Sequence, residues 1–137
     1  MLARLLRTIA DRCASTRARV EIATAASPVH LDLEIADKAW RRALGMMGKT
    51  QLRENDGMLL LYPRPRIVRL WMANTPLALD AIFVDEAGRI LKIAHRLQPN
   101  SRRWVSSEKP AKWVLEIAGG QAMHLGIATG DRVRVST

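Results

Sequence analysis

Short apolar segments with an alternating pattern, separated by turn-forming residues, most constrain what this chain can fold into. Residues 29–35 and 132–135 alternate apolar and polar side chains, as a strand with one face in water does. Further strand-like runs cover residues 58–62, 67–72, 80–84, 89–95 and 113–117. Short strands at such spacing are typical of a mainly β domain. The sequence therefore predicts a compact antiparallel β-sandwich or small barrel, jelly-roll-like in architecture.

Two short helices are predicted between the strands. Asp37 is a good N-cap for a helix that runs to about Leu44, and Gly45 can end that helix in a left-handed conformation. The second helix covers about residues 121–127. Gly88 supplies the positive φ that a tight hairpin between the strands at 80–84 and 89–95 needs.

The N-terminal region has a different pattern. Over residues 1–19, apolar side chains recur at helical spacing among arginines, which predicts a short amphipathic helix. Arg7 and Asp11 interrupt its apolar stretch, so a secretory signal peptide is not expected and we predict a cytoplasmic protein. The stretch that follows is rich in Ala, Thr and Ser and indicates a linker. The predicted division is a helix and linker over residues 1–28 and a single β domain over residues 29–137.

Composition and charge exclude several classes of protein. The chain has 137 residues, enough for one domain, and its 48% hydrophobic content excludes a disordered chain. No uncharged apolar run is long enough for a transmembrane segment. Cys13 is the only cysteine, so neither an intramolecular disulfide nor a cysteine-based zinc site is expected. The net charge of +9 comes mainly from scattered arginines, which allow binding to nucleic acid or to an anionic membrane surface.

Four ordered blocks resemble a bacterial and archaeal family. They are Arg-Ala-Leu-Gly-Met-Met at 42–47, Gly-Met-Leu-Leu-Leu-Tyr at 57–62, Trp-Met-Ala-Asn-Thr-Pro-Leu-Ala-Leu-Asp at 71–80, and Val-Leu-Glu-Ile at 114–117 followed by several glycines. The third block resembles the Trp-Met-x-Asn-Thr to Leu-Asp pattern of domain of unknown function family 192, also called uncharacterised protein family 0127. Ala78 stands where that family usually has proline. The resemblance implies a jelly-roll-like fold and no established activity. The family includes many exported members.

The third block and one later carboxyl form the predicted ligand-binding site. Trp71, Asn74, Thr75 and Asp80 gather an indole, an amide, a hydroxyl and a carboxylate, which can fix a small polar ligand between apolar walls. Glu116 lies within an apolar strand, so an inward-facing carboxyl there needs a partner such as an arginine. In the alternative interpretation, these side chains only satisfy backbone groups and neighbouring arginines.

These observations favour a non-catalytic domain that binds a small polar ligand or a protein partner. One alternative is a small-molecule hydrolase that uses Asp80 and Glu116 as a carboxylate pair, which requires the two groups to lie close together. The other alternative is a basic module that binds nucleic acid or an anionic membrane surface through its arginines. The histidines lack metal-ligand spacing, and no nucleophile elbow, phosphate loop or dinucleotide motif is present. We therefore predict no catalytic residues, no metal and no cofactor.

Overall fold

Strands make up most of the protein in a computed structural model that describes residues 2, 4, 5, 7, 8 and 16–136. The strands are β1 (Arg17–Ala23), β2 (Val29–Ala36), β3 (Asp56–Arg66), β4 (Arg69–Leu70), β5 (Leu79–Val84), β6 (Ile90–Leu97), β7 (Val105–Ser106), β8 (Ala111–Ala118) and β9 (Arg132–Ser136). Two short helices, α1 (Ala39–Leu44) and α2 (Gln121–His124), lie between them. The prediction of a mainly β fold with two short helices is confirmed.

Seven strands form one curled sheet, and the remaining two form a small separate sheet. The large sheet has the order β6-β5-β8-β3-β2-β1-β9, whereas β4 pairs with β7. Its strand pairs are antiparallel except for β2 with β3, which are parallel. Parallel neighbours need a long crossover rather than a tight turn. This departure from the antiparallel expectation explains why the connection that carries α1 passes over one face of the sheet.

The sheet curls into a half-barrel, and its two edges approach each other at one end. Arg89 forms an isolated bridge with Arg132, and the Val133 amide donates to the Gly88 carbonyl at 2.7 Å. Gly88 has a φ of 87°, and a Cβ there would lie 2.7 Å from the Val133 carbonyl oxygen. The glycine predicted from the hairpin pattern therefore also permits the close approach of the two edges.

The two faces of the curled sheet carry separate hydrophobic cores. The inner core takes side chains from all seven strands of the large sheet, such as Val20, Ile82 and Val133. The outer core takes side chains from β2, β3, β5, β6 and β8, and it is covered by residues such as Met46 and Met72 from the connections outside the sheet. The candidate site lies between the outer face and this covering layer.

The β domain begins earlier than the sequence suggests. Strand β1 pairs with β2 and with β9, and it buries Ala18, Val20 and Ile22. The interpretation of residues 20–28 as a linker is therefore wrong for residues 20–23, because alternate side chains there fill the inner core. The prediction of an amphipathic helix over residues 1–19 is wrong for residues 17–19, which belong to β1. Most of its other residues lie outside the described part of the chain.

Helix α1 differs from its prediction at the N-terminus. Lys38 is the N-cap, with φ −104° and ψ 147°, and no side chain caps this end. The prediction of Asp37 as N-cap is wrong because the chain is still extended at Lys38; only the Asp37 carbonyl is used, accepting from the Arg42 guanidinium at 2.8 Å. Gly45 follows the helix as predicted and has a positive φ of 49°, but its ψ of −127° differs from that of the predicted left-handed helical conformation. Within the described residues, no helix is long and apolar enough to cross a membrane.

Candidate functional site

A cavity of about 330 Å³ lies between the outer face of the sheet and the covering layer. Among the described residues, Glu116 is the only one with a carboxyl group that lines it, and three arginines line it as well. Three aromatic side chains and several apolar ones form the rest of the wall. The arginines are Arg42, Arg66 and Arg69, and the aromatic residues are Tyr62, Trp71 and Trp104. The cavity thus combines charge of both signs with flat apolar surfaces.

The strand register determines where Glu116 points. Glu116 lies opposite Met58 of β3 and Ala81 of β5, and both of these residues belong to the outer core. Directly opposed residues on paired strands share a face. Glu116 therefore projects from the outer face among apolar neighbours, where it is 8% exposed. Its Oε1 atom is buried with no hydrogen-bond partner among the described residues.

Burial changes the acidity of this carboxyl. Desolvation raises the pKa of Glu116 to about 7, and the positive charge of Arg7 opposes this shift without cancelling it. The Arg7 guanidinium donates to the carbonyls of Gly45 and Met47 and lies 4.0 Å from Glu34. Because a pKa near 7 allows both protonation states near neutrality, Glu116 can act there as a hydrogen-bond donor or as an acceptor.

Gly45 lets the main chain pack directly against this carboxyl. Its φ of 49° and ψ of −127° form a backbone conformation that favours glycine. A Cβ at this position would lie 3.4 Å from the Glu116 Oε1 atom. The first and fourth sequence blocks described above therefore meet at the cavity.

Tyr62 packs against two of the arginines that line the cavity. The Arg42 and Arg66 guanidinium carbons lie 4.9 and 5.8 Å from the centroid of the Tyr62 ring. Burial raises the pKa of the Tyr62 hydroxyl, and the charge of Glu116 adds to this shift, whereas the two arginines oppose it. Tyr62 is therefore electrostatically coupled to both sides of the cavity.

Two stacked tryptophans form the other aromatic wall. The Trp71 and Trp104 rings are 4.7 Å apart with an interplanar angle of 3°. Arg69 lies 5.0 Å from the centroid of Trp104, and Arg102 lies 5.9 Å from that of Trp71. Trp71 is 38% exposed and Trp104 is 50% exposed, so the stack borders the cavity and also faces solvent.

Three of the five predicted ligand-binding residues lie together at the cavity. Trp71, Thr75 and Glu116 line it, whereas Asn74 and Asp80 do not. The Thr75 hydroxyl donates to the Ala73 carbonyl at 3.2 Å and is buried. Asn74 is exposed at a φ of 56°, as is common for asparagine in a turn.

The carboxylate of Asp80 is used in hydrogen bonds that hold the fold together. Its carboxylate is completely buried and accepts hydrogen bonds from the amides of Arg96 at 2.8 Å, Gly120 at 3.0 Å and Ala122 at 2.8 Å. These contacts join β5 to β6 and to the start of α2. The expectation that Asp80 contributes to a ligand pocket does not fit this geometry, because backbone amides occupy both of its oxygens.

The carboxylate pair considered for a hydrolase is not formed. Asp80 lies opposite Ile117, whose side chain belongs to the inner core, whereas Glu116 lies opposite Ala81 of the outer core. The two carboxyl groups therefore project from opposite faces of one sheet. In the part of the chain that the structure describes, no group of three or more His, Cys, Asp or Glu side chains is placed to hold a metal ion.

Sequence reasoning did not identify several cavity residues. Arg42, Gly45 and Tyr62 stand within the recognised sequence blocks, so those blocks carried a signal for them. Arg66 and Trp104 stand outside the blocks and reach the cavity only through the tertiary structure. No local pattern indicates that Trp104 stacks on Trp71.

Comparison with known proteins gives a family and two similar solved structures. The model of domain of unknown function 192, described as an uncharacterized ACR, matches residues 20–135. A crystal structure from Sinorhizobium meliloti 1021, described as a "putative transcription regulator", has a TM-score of 0.87 and 32% identity, covering 90% of this chain and 97% of that one. A protein of unknown function from Novosphingobium aromaticivorans DSM 12444 has the same TM-score and identity, covering 90% of this chain and 88% of that one. No curated protein matches the chain.

Proposed function

This chain belongs to the family of domain of unknown function 192, and we propose that it binds a small organic anion in the cavity beside Glu116 without transforming it. The observation that carries this proposal is the Glu116 carboxyl, which lines the cavity and has a buried oxygen with no described partner. Buried polar atoms are normally hydrogen-bonded, so an exception requires an explanation. A ligand that contacts this carboxyl supplies one.

The arginines support an anionic ligand. Arg42, Arg66 and Arg69 all line the cavity. Among the ion pairs between described residues, none involves Arg66 or Arg69. Guanidinium groups bind carboxylates through two parallel hydrogen bonds, and the neighbouring aromatic rings offer a flat surface to an apolar ligand body. The cavity volume of about 330 Å³ suits a small molecule.

The same lining supports binding rather than catalysis. General acid–base chemistry commonly uses two groups with different roles. The described lining of the cavity includes no histidine and no carboxyl other than Glu116. Asp80, the second carboxyl of the hydrolase hypothesis, projects from the other face of the sheet.

Titration with benzoate tests the proposal, with the fluorescence of Trp71 and Trp104 as the signal. Arg66→Gln is expected to weaken benzoate binding by about tenfold, since a hydrogen bond between charged groups contributes about 1.5–3 kcal/mol. Arg64→Gln is the matched control: it removes the same charge from the same strand but from a residue outside the cavity lining. The absence of saturable benzoate binding, or equal effects of the two substitutions, would contradict the proposal.

A second candidate function is binding of single-stranded nucleic acid along the tryptophan stack. The stacked Trp71 and Trp104, with Arg69 and Arg102 beside them, combine exposed aromatic surface with positive charge. Bases stack on such rings, and arginines contact phosphates. Fluorescence anisotropy of a labelled single-stranded oligonucleotide is expected to show affinity that falls steeply with salt and falls again in Trp104→Ala. Binding that Trp104→Ala leaves unchanged would reject this site.

A further inference from the structure

We infer that Glu116 donates a hydrogen bond to the ligand as a carboxylic acid, so that the preferred ligand is an organic anion with an uncharged oxygen acceptor, such as a carbonyl, at the end far from its anionic group. This inference rests on the proposed function, because it names the chemistry of the ligand that occupies the same cavity. It adds a prediction that the arginines alone do not make: a ligand with such an acceptor binds more tightly than one without it, and this gain requires Glu116 to be protonated.

The cavity has two polar regions rather than one. Arg42 and Arg66 lie against the Tyr62 ring, and their charges act on the Tyr62 hydroxyl. The charge that opposes the ionisation shift of Glu116 comes instead from Arg7. Glu116 lies opposite Met58 of β3, and Tyr62 stands four residues farther along the same strand, so the arginines around its ring lie farther along the cavity than the acidic group. A ligand that reaches both regions must carry an anionic end and a second polar end of different chemistry.

The surroundings of Glu116 favour its neutral form. Met58 and Ala81, its neighbours on the adjacent strands, are apolar, and an ionised carboxyl in such a place loses its hydration. Burial outweighs the opposing charge of Arg7. An anion placed in the same cavity adds negative charge, which favours protonation further. Among the described residues, the charged and titratable groups around this part of the cavity are Arg7, Glu34, Arg42, Lys49, Tyr62 and Arg66.

The protonation state of Glu116 also determines which ligand group it can bind. A carboxylic acid has one donor hydrogen, which a carbonyl oxygen can accept. An ammonium group would instead require the ionised carboxylate, and its binding would release a proton rather than take one up. The sign of the proton exchange therefore distinguishes the two classes of ligand.

Three probes with a common benzoate body separate these cases: benzoate, 4-acetylbenzoate and 4-(aminomethyl)benzoate. Isothermal titration calorimetry of the full chain in two buffers of different ionisation enthalpy gives both affinity and protons exchanged. We expect 4-acetylbenzoate to bind roughly fivefold more tightly than benzoate at about pH 6, the gain of one neutral hydrogen bond. Its affinity should fall by about tenfold per pH unit once Glu116 ionises, with uptake of close to one proton.

Glu116→Gln supplies the matched variant, since its amide keeps a donor but cannot ionise. It is expected to retain the preference for 4-acetylbenzoate and to lose both the pH dependence and the proton uptake, whereas Glu116→Leu should lose the preference. Tightest binding of 4-(aminomethyl)benzoate with proton release, or equal affinity for the three probes, would overturn the inference and leave the proposed function intact. Failure of all three probes to bind would overturn the proposed function, and the inference with it.

Discussion

Asp80 and Glu116 are buried carboxyl groups on adjacent strands, yet their surroundings are opposite. Asp80 faces the inner core and accepts hydrogen bonds from three backbone amides. Glu116 faces the outer core, and its Oε1 atom has no described partner. Asp80 lies opposite Ile117, the residue next to Glu116. Because side chains alternate between the faces of a strand, the two carboxyls project in opposite directions. The comparison shows that two buried carboxyls of one sheet can differ in whether their hydrogen bonds are satisfied, and this difference is the reason for proposing the binding role for Glu116.

The difference between the carboxyls follows from how each face of the sheet is covered. The inner core is closed by the curl of the sheet itself, which contributes side chains from all seven strands. The outer core is covered by α1, the loop after it and the connections around β4, and a cavity of about 330 Å³ lies beneath this cover. The inner face therefore stabilises the fold, and the outer face has room for a ligand.

The largest expected effect comes from Asp80→Ala. This substitution leaves three backbone amides without their acceptor, and hydrogen bonds to a charged group contribute about 1.5–3 kcal/mol each, so we expect the free energy of unfolding to fall by about 3–5 kcal/mol. Urea denaturation at neutral pH measures it. Asp80→Asn is the milder variant, since its amide oxygen still accepts. A loss below about 1 kcal/mol in Asp80→Ala would show that the two carboxyls do not differ as described.

Glu116→Gln is expected to change how stability depends on pH. Because burial raises the pKa of Glu116 from 4.5 to about 7, the folded state binds more protons between these values, and wild-type stability falls as pH rises through this range. The full cost, on the order of 3 kcal/mol, applies above pH 7 and disappears below pH 4.5.

Urea denaturation across this pH range checks the prediction. Glu116→Gln should be more stable than wild type at about pH 8 and should lose the decline that Glu116 causes, because glutamine does not titrate. An equal decline in wild type and variant would assign the pH dependence to other groups. Such a result would remove the contrast between Glu116 and Asp80, whose carboxylate has all of its described hydrogen bonds.

Gly45→Ala tests the covering layer itself. The φ of 49° disfavours a side chain, and a new Cβ would contact the Glu116 Oε1 atom at 3.4 Å, so we expect a loss of about 1–3 kcal/mol in the free energy of unfolding. Gly126→Ala is the matched control, because its φ is 72° but nothing lies within 4 Å of a Cβ there. Urea denaturation measures both variants, and a loss in Gly126→Ala as large as that in Gly45→Ala would show that the contact with Glu116 adds nothing to the backbone strain.

The sequence was sufficient for the fold class and for most of the strands, because the alternation of apolar side chains is a local signal. Residues 29–35 and 132–135 became strands β2 and β9 nearly as predicted. Strand β1 was missed because Ala, Thr and Ser near residues 23–27 hide the alternation of Val20 and Ile22. The parallel pairing of β2 with β3 is a long-range choice that no local pattern contains.

The site was harder to predict because its polar groups differ in what they contact, not in their sequence pattern. Asp80 and Glu116 both stand in apolar strands, and the sequence alone gave them equal weight. Only the register of β5 against β8 places them on opposite faces. Trp104 lies in none of the predicted strands or helices, and its stacking on Trp71 depends on the pairing of β4 with β7.

The smallest expected effect on stability comes from Trp104→Ala. Trp104 is half exposed, and its stacking on Trp71 contributes about 0.5–1.5 kcal/mol, so the free energy of unfolding should fall by about 1 kcal/mol. Trp113→Ala is the control, because Trp113 packs against the inner core and its loss should cost more. Benzoate affinity should change in the reverse order, since Trp104 lines the cavity and Trp113 does not. If Trp113→Ala weakens benzoate binding more than Trp104→Ala does, the division between a stabilising inner face and a binding outer face is wrong.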